Sequence, residues 1–466
     1  MLDRVREIVG AAHVLTGDDA RGYGRDWPGK YHFTPMAVVR PGSTEEVAAV
    51  VRLANETGTS VVPVSGNTGL NGGTEAEGAL MLSLERLNRV RAVKPEARIV
   101  VAEAGVILSD LHAAAADHDL TFPLTFGAKG SARVGGFLST NAGGSNVLRY
   151  GNTRDLCLGV EVVLPTGEVM DLMHELHKNN SGYDLRHLVI GAEGTLGIIT
   201  AAVLKLVPRP RAYATAMVAV PSVRAALGLL NRLQAETGGM VEAFEYMPGE
   251  YLERYARHYP QVRPVFDRVH PVNVMVEVGS TVPRDTAPGP DGSVPLTAML
   301  EEALGALYET GAVLDAQVAT SEAQRQEMWA RREAAAEITL GIRPIVSNDI
   351  ALPLDRVAEF LDLAPERLRE IDAGSGTSAV AHLGDGNIHY SVFPSRTDAE
   401  LSDRIMEEVE EIVLSMGGSF SAEHGIGLAK LSSMRRRKDK VALQAMRAIK
   451  AALDPNGVLN PGKLLP

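Results

Sequence analysis

The sequence is poor in cysteine and in long apolar runs. Its 466 residues include one cysteine, Cys157, so the chain can build neither a disulfide framework nor a cysteine-based metal site or iron–sulfur cluster. No stretch approaches the roughly 18 apolar residues of a membrane span. The first residues, MLDRVREIVGAAHVL, alternate charged with apolar side chains and lack the apolar core of a signal peptide. These absences predict a cytoplasmic enzyme.

An excess of positive charge is missing as well. The chain has 46 Lys and Arg against 58 Asp and Glu, which gives a net charge of −12. This charge disfavours a nucleic-acid partner and repels an anionic membrane surface. The basic run RRRKDK at 435–440 is predicted to be a solvated helix surface, with a docking patch for an acidic partner as the alternative. The length predicts two or three domains.

The first two hundred residues predict an α+β layout. Ser43 and Glu46 form a capping-box pattern, and the helix that follows is predicted to end at Gly58. Apolar runs that read as strands then recur between glycine-rich loops. These predicted strands are 60–64, 79–84, 99–102, 158–164 and 198–206.

The pattern changes near Pro208–Arg211, after which strands and helices alternate. For 211–420 the alternation predicts a sheet with helices on one face. The loop at 281–295 is rich in Pro, Gly and Asp and is predicted to be exposed. The predicted strands lie at 241–247, 272–279 and 312–318, and the predicted helices begin after Ser222 and span 296–310, 321–340, 355–372 and 398–416.

Three glycine-rich loops border predicted strands, at 63–73, 127–144 and 191–199. The first lacks the G-x-G-x-x-G pattern and precedes a strand, which disfavours a Rossmann-type NAD site. Any one of them alone reads as an ordinary turn. Three together indicate that the main chain approaches one extended ligand at several points, and a dinucleotide of flavin size suits that interpretation.

Six motifs in order give the chain a family resemblance. They are SGNTGLNGG, GSARVGGFLSTNAGG, NNSGYDLRHLVIGAEGTLGIIT, AHLGDGNIH, SAEHGIG and LDPNGVLNPGKLL. Across residues 36–466 the chain resembles the FAD-linked D-2-hydroxyacid dehydrogenases of the vanillyl-alcohol-oxidase-type flavoproteins. This group includes enzymes that oxidise D-lactate, D-2-hydroxyglutarate and glycolate.

The alternation of charged and apolar residues at the start of the chain predicts a helical segment, 1–35. The resemblance implies an α+β fold with three further parts, of which the first is a two-subdomain FAD-binding domain, 36–210. A cap domain with an antiparallel sheet, 211–420, would carry the substrate and metal site. The segment 421–466 would return to the FAD.

The resemblance also implies which residues hold FAD. No histidine lies in 59–111, so the first glycine loop cannot attach FAD covalently, and non-covalent FAD is expected. The FAD-binding residues that it implies are Pro63, Ser65, Gly66, Asn67, Thr68, Gly69, Leu70, Ser131, Gly135, Gly136, Asn141, Gly143, Gly191, Glu193, Gly194, Thr195, Gly197, Ile198 and Asn460.

The stretch AVAHLGDGNIHYSV predicts a hairpin closed by Gly384–Asn387. Pairing Leu383 with Ile388 would put His382 directly opposite His389, with Cβ atoms about 4.5–5.5 Å apart. Two imidazoles at this separation can chelate one divalent metal, with zinc as the first candidate. The alternative is two unrelated histidines on a half-exposed hairpin.

The resemblance completes the site. It implies Glu423 as the third metal ligand, His424 as the general base and Arg332 as the partner of the substrate carboxylate. Arg331 is the alternative for that last role. In a regular strand Glu423 and His424 would face opposite ways, so we expect the strand to end there, which Gly425 permits.

Three positions depart from the pattern of D-2-hydroxyglutarate dehydrogenases. A hydroxyl residue, a lysine and an asparagine of those enzymes are replaced by Ala336, Ser347 and Ser391. The missing lysine favours a shorter or less charged D-2-hydroxy acid, with D-lactate as the first candidate.

The sequence therefore predicts an FAD-dependent dehydrogenase that uses a metal to help convert a D-2-hydroxy acid into the 2-oxo acid. A metallohydrolase built on the two histidines, and a flavin-binding protein that has lost its chemistry, are the alternatives. The expected partners are the substrate and an electron acceptor such as an electron-transfer flavoprotein or a quinone. A homodimer is the oligomer that we consider.

Overall fold

The computed structural model describes residues 1–290 and 292–466 and shows two units. The chain passes from unit 1 into unit 2 after residue 208 and returns to unit 1 after residue 422. The sequence predicted domain limits after residues 210 and 420. A short additional segment, Gly144–Tyr150, joins the second unit, which the sequence did not predict. Unit 1 consists of Met1–Gly143, Gly151–Pro208 and Glu423–Pro466, and unit 2 consists of Gly144–Tyr150 and Arg209–Ala422.

Eighteen strands are present among the described residues. In chain order they are β1 Val14–Leu15, β2 Ala37–Val39, β3 Val61–Val64, β4 Leu80–Ser83, β5 Val90–Lys94, β6 Ile99–Glu103, β7 Leu120–Thr121, β8 Cys157–Val163, β9 Val169–Leu172, β10 Ile198–Lys205, β11 Val207–Pro208, β12 Ala212–Val220, β13 Val241–Pro248, β14 Val272–Ser280, β15 Asp315–Val318, β16 Val346–Ala351, β17 Gly376–His382 and β18 Asn387–Phe393.

Sixteen α-helices connect these strands in the described part of the chain, and none of them combines the length and apolar character needed to cross a membrane. They are α1 Leu2–Val9, α2 Thr44–Thr57, α3 Leu108–Ala116, α4 Val134–Ser139, α5 Val147–Tyr150, α6 Leu185–Val189, α7 Val223–Thr237, α8 Gly249–His258, α9 Pro283–Thr286, α10 Pro295–Glu309, α11 Glu322–Glu333, α12 Ala335–Leu340, α13 Val357–Ile371, α14 Ala399–Ser415, α15 Leu431–Arg437 and α16 Lys440–Leu453.

Unit 1 contains two main sheets. The four-stranded sheet has the order β1-β2-β4-β3, with β2, β4 and β3 parallel, and the five-stranded antiparallel sheet has the order β5-β6-β10-β8-β9. The five strands predicted for this part of the chain are present as β3, β4, β6, β8 and β10. The sequence missed the edge strands β5 and β9, because none of their residues is buried and they carry no continuous apolar run.

The predicted capping of α2 is confirmed. Ser43 Oγ accepts a hydrogen bond from the Glu46 amide at 3.3 Å, and Gly58 ends the helix in the left-handed conformation, with φ of 63°. The Glu46 carboxylate bonds the Gly42 amide at 2.7 Å rather than that of Ser43. This variation still satisfies an amide next to the helix start.

Unit 2 contains one seven-stranded antiparallel sheet in the order β15-β12-β14-β13-β17-β18-β16. One face is apolar and packs against α7, α10, α13 and α14. On the other face, Met217, Met247 and Met275 pack against α8, α11 and α12. The prediction of helices on one face alone was therefore wrong, because the middle of the second face is also apolar and needs cover.

Two further predictions for unit 2 need correction. The predicted helix at 321–340 is broken at Ala334, where α11 ends and α12 begins. The sequence also missed β12, because four of the nine residues in its run AYATAMVAV are alanines, which are depleted in strands and favour helices. The predicted loop at 281–295 contains Asp291, which lies outside the described residues.

The predicted hairpin exists, but its register was wrong. The turn spans 383–386 instead of 384–387, so Asn387 pairs with His382, and His389 pairs with Val380. The cause is Gly386, which takes φ of 84° and ends the turn one residue earlier than predicted. Because side chains alternate with a period of two, both histidines still lie on one face, as diagonal neighbours.

We predict that Gly386→Ala destabilises unit 2. An added Cβ would lie 2.2 Å from the carbonyl oxygen of Leu352, and the positive φ alone costs an L-residue about 1–2 kcal/mol. The clash adds about 1–3 kcal/mol. Gly311→Ala is the matched control, since Gly311 has φ of 75° and no atom within 4 Å. Equal shifts of the two urea midpoints would show that the close approach to Leu352 is unimportant.

Candidate active site

One face of the unit 2 sheet carries a row of two acids and two imidazoles. Across β13 and β17, Glu245 lies directly opposite His382, and across β16 and β18, Asp349 lies directly opposite His389. The two imidazole rings have centroids 5.4 Å apart and an interplanar angle of 77°. Along the sheet the row therefore reads acid, imidazole, imidazole, acid.

Glu245 contacts two of the predicted site residues. Its Oε1 lies 2.9 Å from His382 Nδ1, and its Oε2 accepts a hydrogen bond from Arg332 Nε at 2.6 Å. Its side chain is fully buried. Burial raises the pKa of the Glu245 carboxyl, but the neighbouring His382 and Arg332 outweigh it, so the pKa lies below its usual value. Glu245 is therefore a buried carboxylate rather than a neutral acid.

The second acid, Asp349, is held differently. Its Oδ1 lies 3.7 Å from His389 Nδ1, which is longer than a hydrogen bond, and accepts a hydrogen bond from Asn387 Nδ2 at 2.9 Å. Asp349 is buried, whereas the side chain of His389 is 29% exposed. The two imidazoles of the pair thus differ in how tightly a carboxylate holds them.

The structure distinguishes the two neighbouring arginines. Arg331 donates hydrogen bonds to the main-chain oxygens of Glu327 (2.9 Å) and Arg263 (2.7 Å), and its guanidinium lies over the ring of Tyr255. Arg332 instead reaches His382, with 3.4 Å between Nη2 and Nε2. Arg332 is therefore the arginine that accompanies the histidine pair.

Two of the three positions that depart from the D-2-hydroxyglutarate dehydrogenase pattern lie in a row of serines. Ser347 pairs with Ser391 across β16 and β18, and Ser391 pairs with Ser378 across β17. Ser391 lies two residues beyond His389 on the same strand, so the row shares the face of the histidines. Ser347 is exposed, and the other two serines are buried.

In unit 1 the three glycine loops come together. A Cβ on Gly66 would lie 2.4 Å from the carbonyl oxygen of Ser131, which shows how closely the first and second loops approach. A Cβ on Gly194 would lie 2.5 Å from Pro63 Cγ, which joins the third loop to the first. At these positions glycine is required by the close packing of the protein itself.

Residues in the left-handed conformation concentrate among those predicted to bind FAD. Asn67, Asn141, Glu193 and Asn460 have φ between 42° and 52°. Such values are uncommon for residues other than glycine, and they cluster at functional sites where surrounding contacts impose them. Four of the predicted FAD residues therefore share a backbone feature that the sequence did not reveal.

The side chain of Asn460 fits a role in binding FAD. Its Nδ2 donates hydrogen bonds to the main-chain oxygens of Gly73 (3.1 Å) and Glu193 (2.7 Å). Its Oδ1 is buried and accepts no hydrogen bond from any described residue. A buried acceptor of this kind suits an N–H donor, and the isoalloxazine ring of a flavin carries one.

Glu193 holds the start of the C-terminal segment. Its two carboxylate oxygens accept hydrogen bonds from the amides of Ile426 (2.7 Å) and Gly427 (2.8 Å). Burial raises the pKa of Glu193, and these two hydrogen bonds offset only part of that effect. A residue predicted to touch FAD thus also fixes the backbone two residues beyond His424.

Asn71, which the sequence analysis did not single out, holds the backbone at His424. Its Nδ2 donates hydrogen bonds to the main-chain oxygens of His424 (3.1 Å) and Gly425 (2.6 Å). Glu423 and His424 lie in a bend and not in a strand, and their side chains approach to 3.7 Å between Oε1 and Nε2. The expected strand that ends at this pair is absent, since the described residues just before it form only a single bridge at Ser419, and Gly425 has φ of 73°.

Glu245 and Asp349 were also missing from the sequence analysis. The signal for Glu245 is a charged residue inside the apolar run VEAFEYMP, since a charge at a buried strand position needs a partner. Asp349 carries the same signal within VSNDIA. Neither signal identifies the partner, which only the pairing of strands determines.

Two family models match the chain. A model of the FAD binding domain matches residues 35–173, and a model of the C-terminal domain of FAD linked oxidases matches residues 209–464, more than half of the chain. These matches show an FAD-binding protein. They give no support to the metallohydrolase alternative.

Curated relatives agree with the family models. The chain is 36% identical over 452 residues to a D-2-hydroxyglutarate dehydrogenase of Xanthomonas citri pv. viticola, covering 96% of this chain and 92% of the relative. It is 35% identical over 443 residues to the mitochondrial D-2-hydroxyglutarate dehydrogenase of Bos taurus, covering 95% of this chain and 79% of the relative.

A solved structure shows the fold. The structure of p-cresol methylhydroxylase with substrate bound matches with a TM-score of 0.74 at 16% identity, covering 99% of this chain and 95% of that one. The predicted α+β fold of the vanillyl-alcohol-oxidase type is confirmed. The chain belongs to the FAD-linked D-2-hydroxyacid dehydrogenase family and is an FAD-dependent oxidoreductase.

Proposed function

We propose that the chain oxidises a D-2-hydroxy acid to the 2-oxo acid. The observation that carries this proposal is the row of Glu245, His382, His389 and Asp349 on one sheet face, with Arg332 beside His382. An arginine suits a substrate carboxylate, and paired imidazoles suit a metal that binds an alcohol oxygen. Two relatives are named D-2-hydroxyglutarate dehydrogenases, which supports the same class of substrate.

FAD is held without a covalent bond by the three glycine loops and Asn460. The close approach of these loops and the buried acceptor on Asn460 support this assignment. Bound FAD supplies the hydride acceptor at its N5 atom.

A divalent metal, with zinc as the first candidate, is held by His382, His389 and Glu423. The donor set of imidazole and carboxylate suits zinc. Asp349 lies directly opposite His389 on the neighbouring strand, so Asp349 is an additional candidate ligand. The metal supplies a Lewis acid that lowers the pKa of the substrate hydroxyl.

The remaining roles belong to side chains of this protein. Arg332 binds the substrate carboxylate through its terminal nitrogens, because its Nε is engaged by Glu245. His424 takes the proton of the substrate hydroxyl as the general base. The carboxylate of Glu423, 3.7 Å from His424 Nε2, stabilises the imidazolium that forms.

The substrate tail faces the serine row. Ser347 and Ser391 offer hydroxyl groups at positions where related enzymes carry a lysine and an asparagine, and Ala336 offers no polar group. This favours a short or uncharged tail, so D-lactate is the first substrate to test and D-2-hydroxyglutarate the second.

The proposed electron acceptor is an electron-transfer flavoprotein or a quinone. The proposed location is cytoplasmic, and the proposed oligomer is a homodimer.

Removal of the metal is expected to abolish activity. Protein treated with EDTA should lose oxidation of D-2-hydroxy acids in a dye-reduction assay but keep its flavin absorbance, because the metal and FAD have separate ligands. Added Zn²⁺ should restore the activity. Treated protein that remains fully active contradicts the metal role, and purified protein without flavin absorbance contradicts the whole proposal.

His424→Ala is expected to lower kcat by about 10²–10⁴, the usual contribution of a general base. Flavin content and zinc content should stay at the wild-type level. His177→Ala, in an exposed loop, is the control and should be as active as the wild type. A His424→Ala protein with wild-type kcat would assign the base to another residue.

Ser347→Lys is expected to shift the preference towards D-2-hydroxyglutarate. A lysine on this face can pair with a distal carboxylate, so kcat/KM for D-2-hydroxyglutarate should rise at least tenfold relative to D-lactate, about 1.4 kcal/mol. Gln317→Lys is the matched control, because Gln317 is exposed on the same face of β15, at the opposite edge of the sheet. If both variants change the ratio equally, the serine row does not contact the substrate tail.

A further inference from the structure

The carboxylate of Glu245 bonds two functional side chains at once. Oε1 lies 2.9 Å from His382 Nδ1, and Oε2 accepts a hydrogen bond from Arg332 Nε at 2.6 Å. The same Arg332 approaches the other ring nitrogen of His382, with Nη2 at 3.4 Å from Nε2. The three side chains therefore close a ring in which each contacts the other two.

This ring determines the tautomer of His382. An arginine has donors only, so a hydrogen bond from Arg332 Nη2 requires a lone pair on His382 Nε2. The proton of the neutral imidazole then lies on Nδ1, where the carboxylate of Glu245 accepts it. Both neighbours favour the same tautomer, and the lone pair on Nε2 is the one that a metal would take in place of the Arg332 contact.

From these contacts we propose that Glu245 is a positioning residue that presents His382 Nε2 to a divalent metal and orients Arg332 for the substrate carboxylate. Glu245 does not itself touch substrate or metal in this assignment. The inference rests on the proposed function, because it assumes that His382 is a metal ligand. A metal-bound histidine commonly gives its other ring nitrogen to a carboxylate, which raises the ligand's basicity and fixes the ring.

The backbone fixes where this carboxylate lies. Glu245 sits on β13, the middle strand of seven, and β17 places His382 directly opposite it. The backbone of Glu245 therefore cannot move without moving the neighbouring strands. At His389, Asp349 Oδ1 lies 3.7 Å from Nδ1, which is longer than a hydrogen bond, and Glu245 lies opposite His382 instead. Loss of Glu245 should therefore affect His382 and leave the placement of His389 unchanged.

The test compares Glu245→Gln with Glu277→Gln in the FAD-loaded protein. Glu277 is a matched control, because it is buried on the same face of the adjacent strand β14 and bonds both Nε and Nη2 of Arg325 at 2.7 Å. The carboxylate of Glu277 accepts hydrogen bonds from Arg325, Thr215 and Trp329. Each substitution thus removes one buried carboxylate, but only Glu245→Gln removes a carboxylate that contacts His382.

Zinc affinity is the decisive measurement. Each protein is equilibrated with chelator-buffered Zn²⁺, and bound zinc is measured per flavin. We expect Glu245→Gln to bind Zn²⁺ about 10–100-fold more weakly than the wild type and Glu277→Gln to bind it as the wild type does. Equal affinity of Glu245→Gln and wild type, or equal weakening in both variants, overturns the inference. Wild-type protein that binds no zinc would instead overturn the proposed metal site itself.

A second measurement needs no variant of Glu245. In EDTA-treated wild-type protein labelled with ¹⁵N, the shifts and long-range couplings of the His382 ring report which nitrogen carries the proton, and His382→Gln assigns the signal. We expect the Nδ1–H form. A predominantly Nε2–H ring would mean that Glu245 does not set the tautomer, whatever the variants show.

Discussion

A buried negative charge on the middle strand of the unit 2 sheet is the constraint on which the candidate active site depends. The carboxylate of Glu245 is fully removed from water, which costs several kcal/mol unless partners compensate for it. Arg332 and His382 supply that compensation at 2.6 and 2.9 Å. Arg332 must therefore lie within reach of β13, and β17 must keep its register. The charge of Glu245 is therefore compensated only when the strands of the sheet keep the register that brings His382 opposite it.

Unit 1 uses a buried carboxylate in a contrasting way. Glu193 accepts hydrogen bonds from two backbone amides, and burial raises its pKa, whereas Glu245 faces an arginine and a histidine, and its pKa is lowered. Arg332 and His382 together outweigh burial at Glu245, and the two backbone amides do not outweigh it at Glu193. Both carboxylates fix a neighbouring functional segment. Glu193 holds the backbone just beyond His424, and Glu245 holds the imidazole of His382.

The sequence predicted what local patterns determine. Capping residues located α2, and the glycine-rich motifs identified three loops that the fold brings into contact. What depends on strand pairing was not predictable. The alanine-rich β12 has no strong strand signal, and Glu245 acquires its partners only when β13 lies beside β17. The sequence contains the four residues of the row, but it does not show in which order they lie across the sheet.

The error in the hairpin register shows why part of a site prediction can survive a wrong pairing. Moving the turn changed the residue opposite His382 from His389 to Asn387, a change of two positions, so both histidines kept the same face. The diagonal spacing still brings the rings to 5.4 Å. It also places Asn387 beside His382, where its amide bonds Asp349, the carboxylate opposite His389. In the predicted register the asparagine would have belonged to the turn. The actual register thus places a hydrogen-bond donor to Asp349 directly opposite His382, because the residue that begins β18 lies on the histidine face of the sheet.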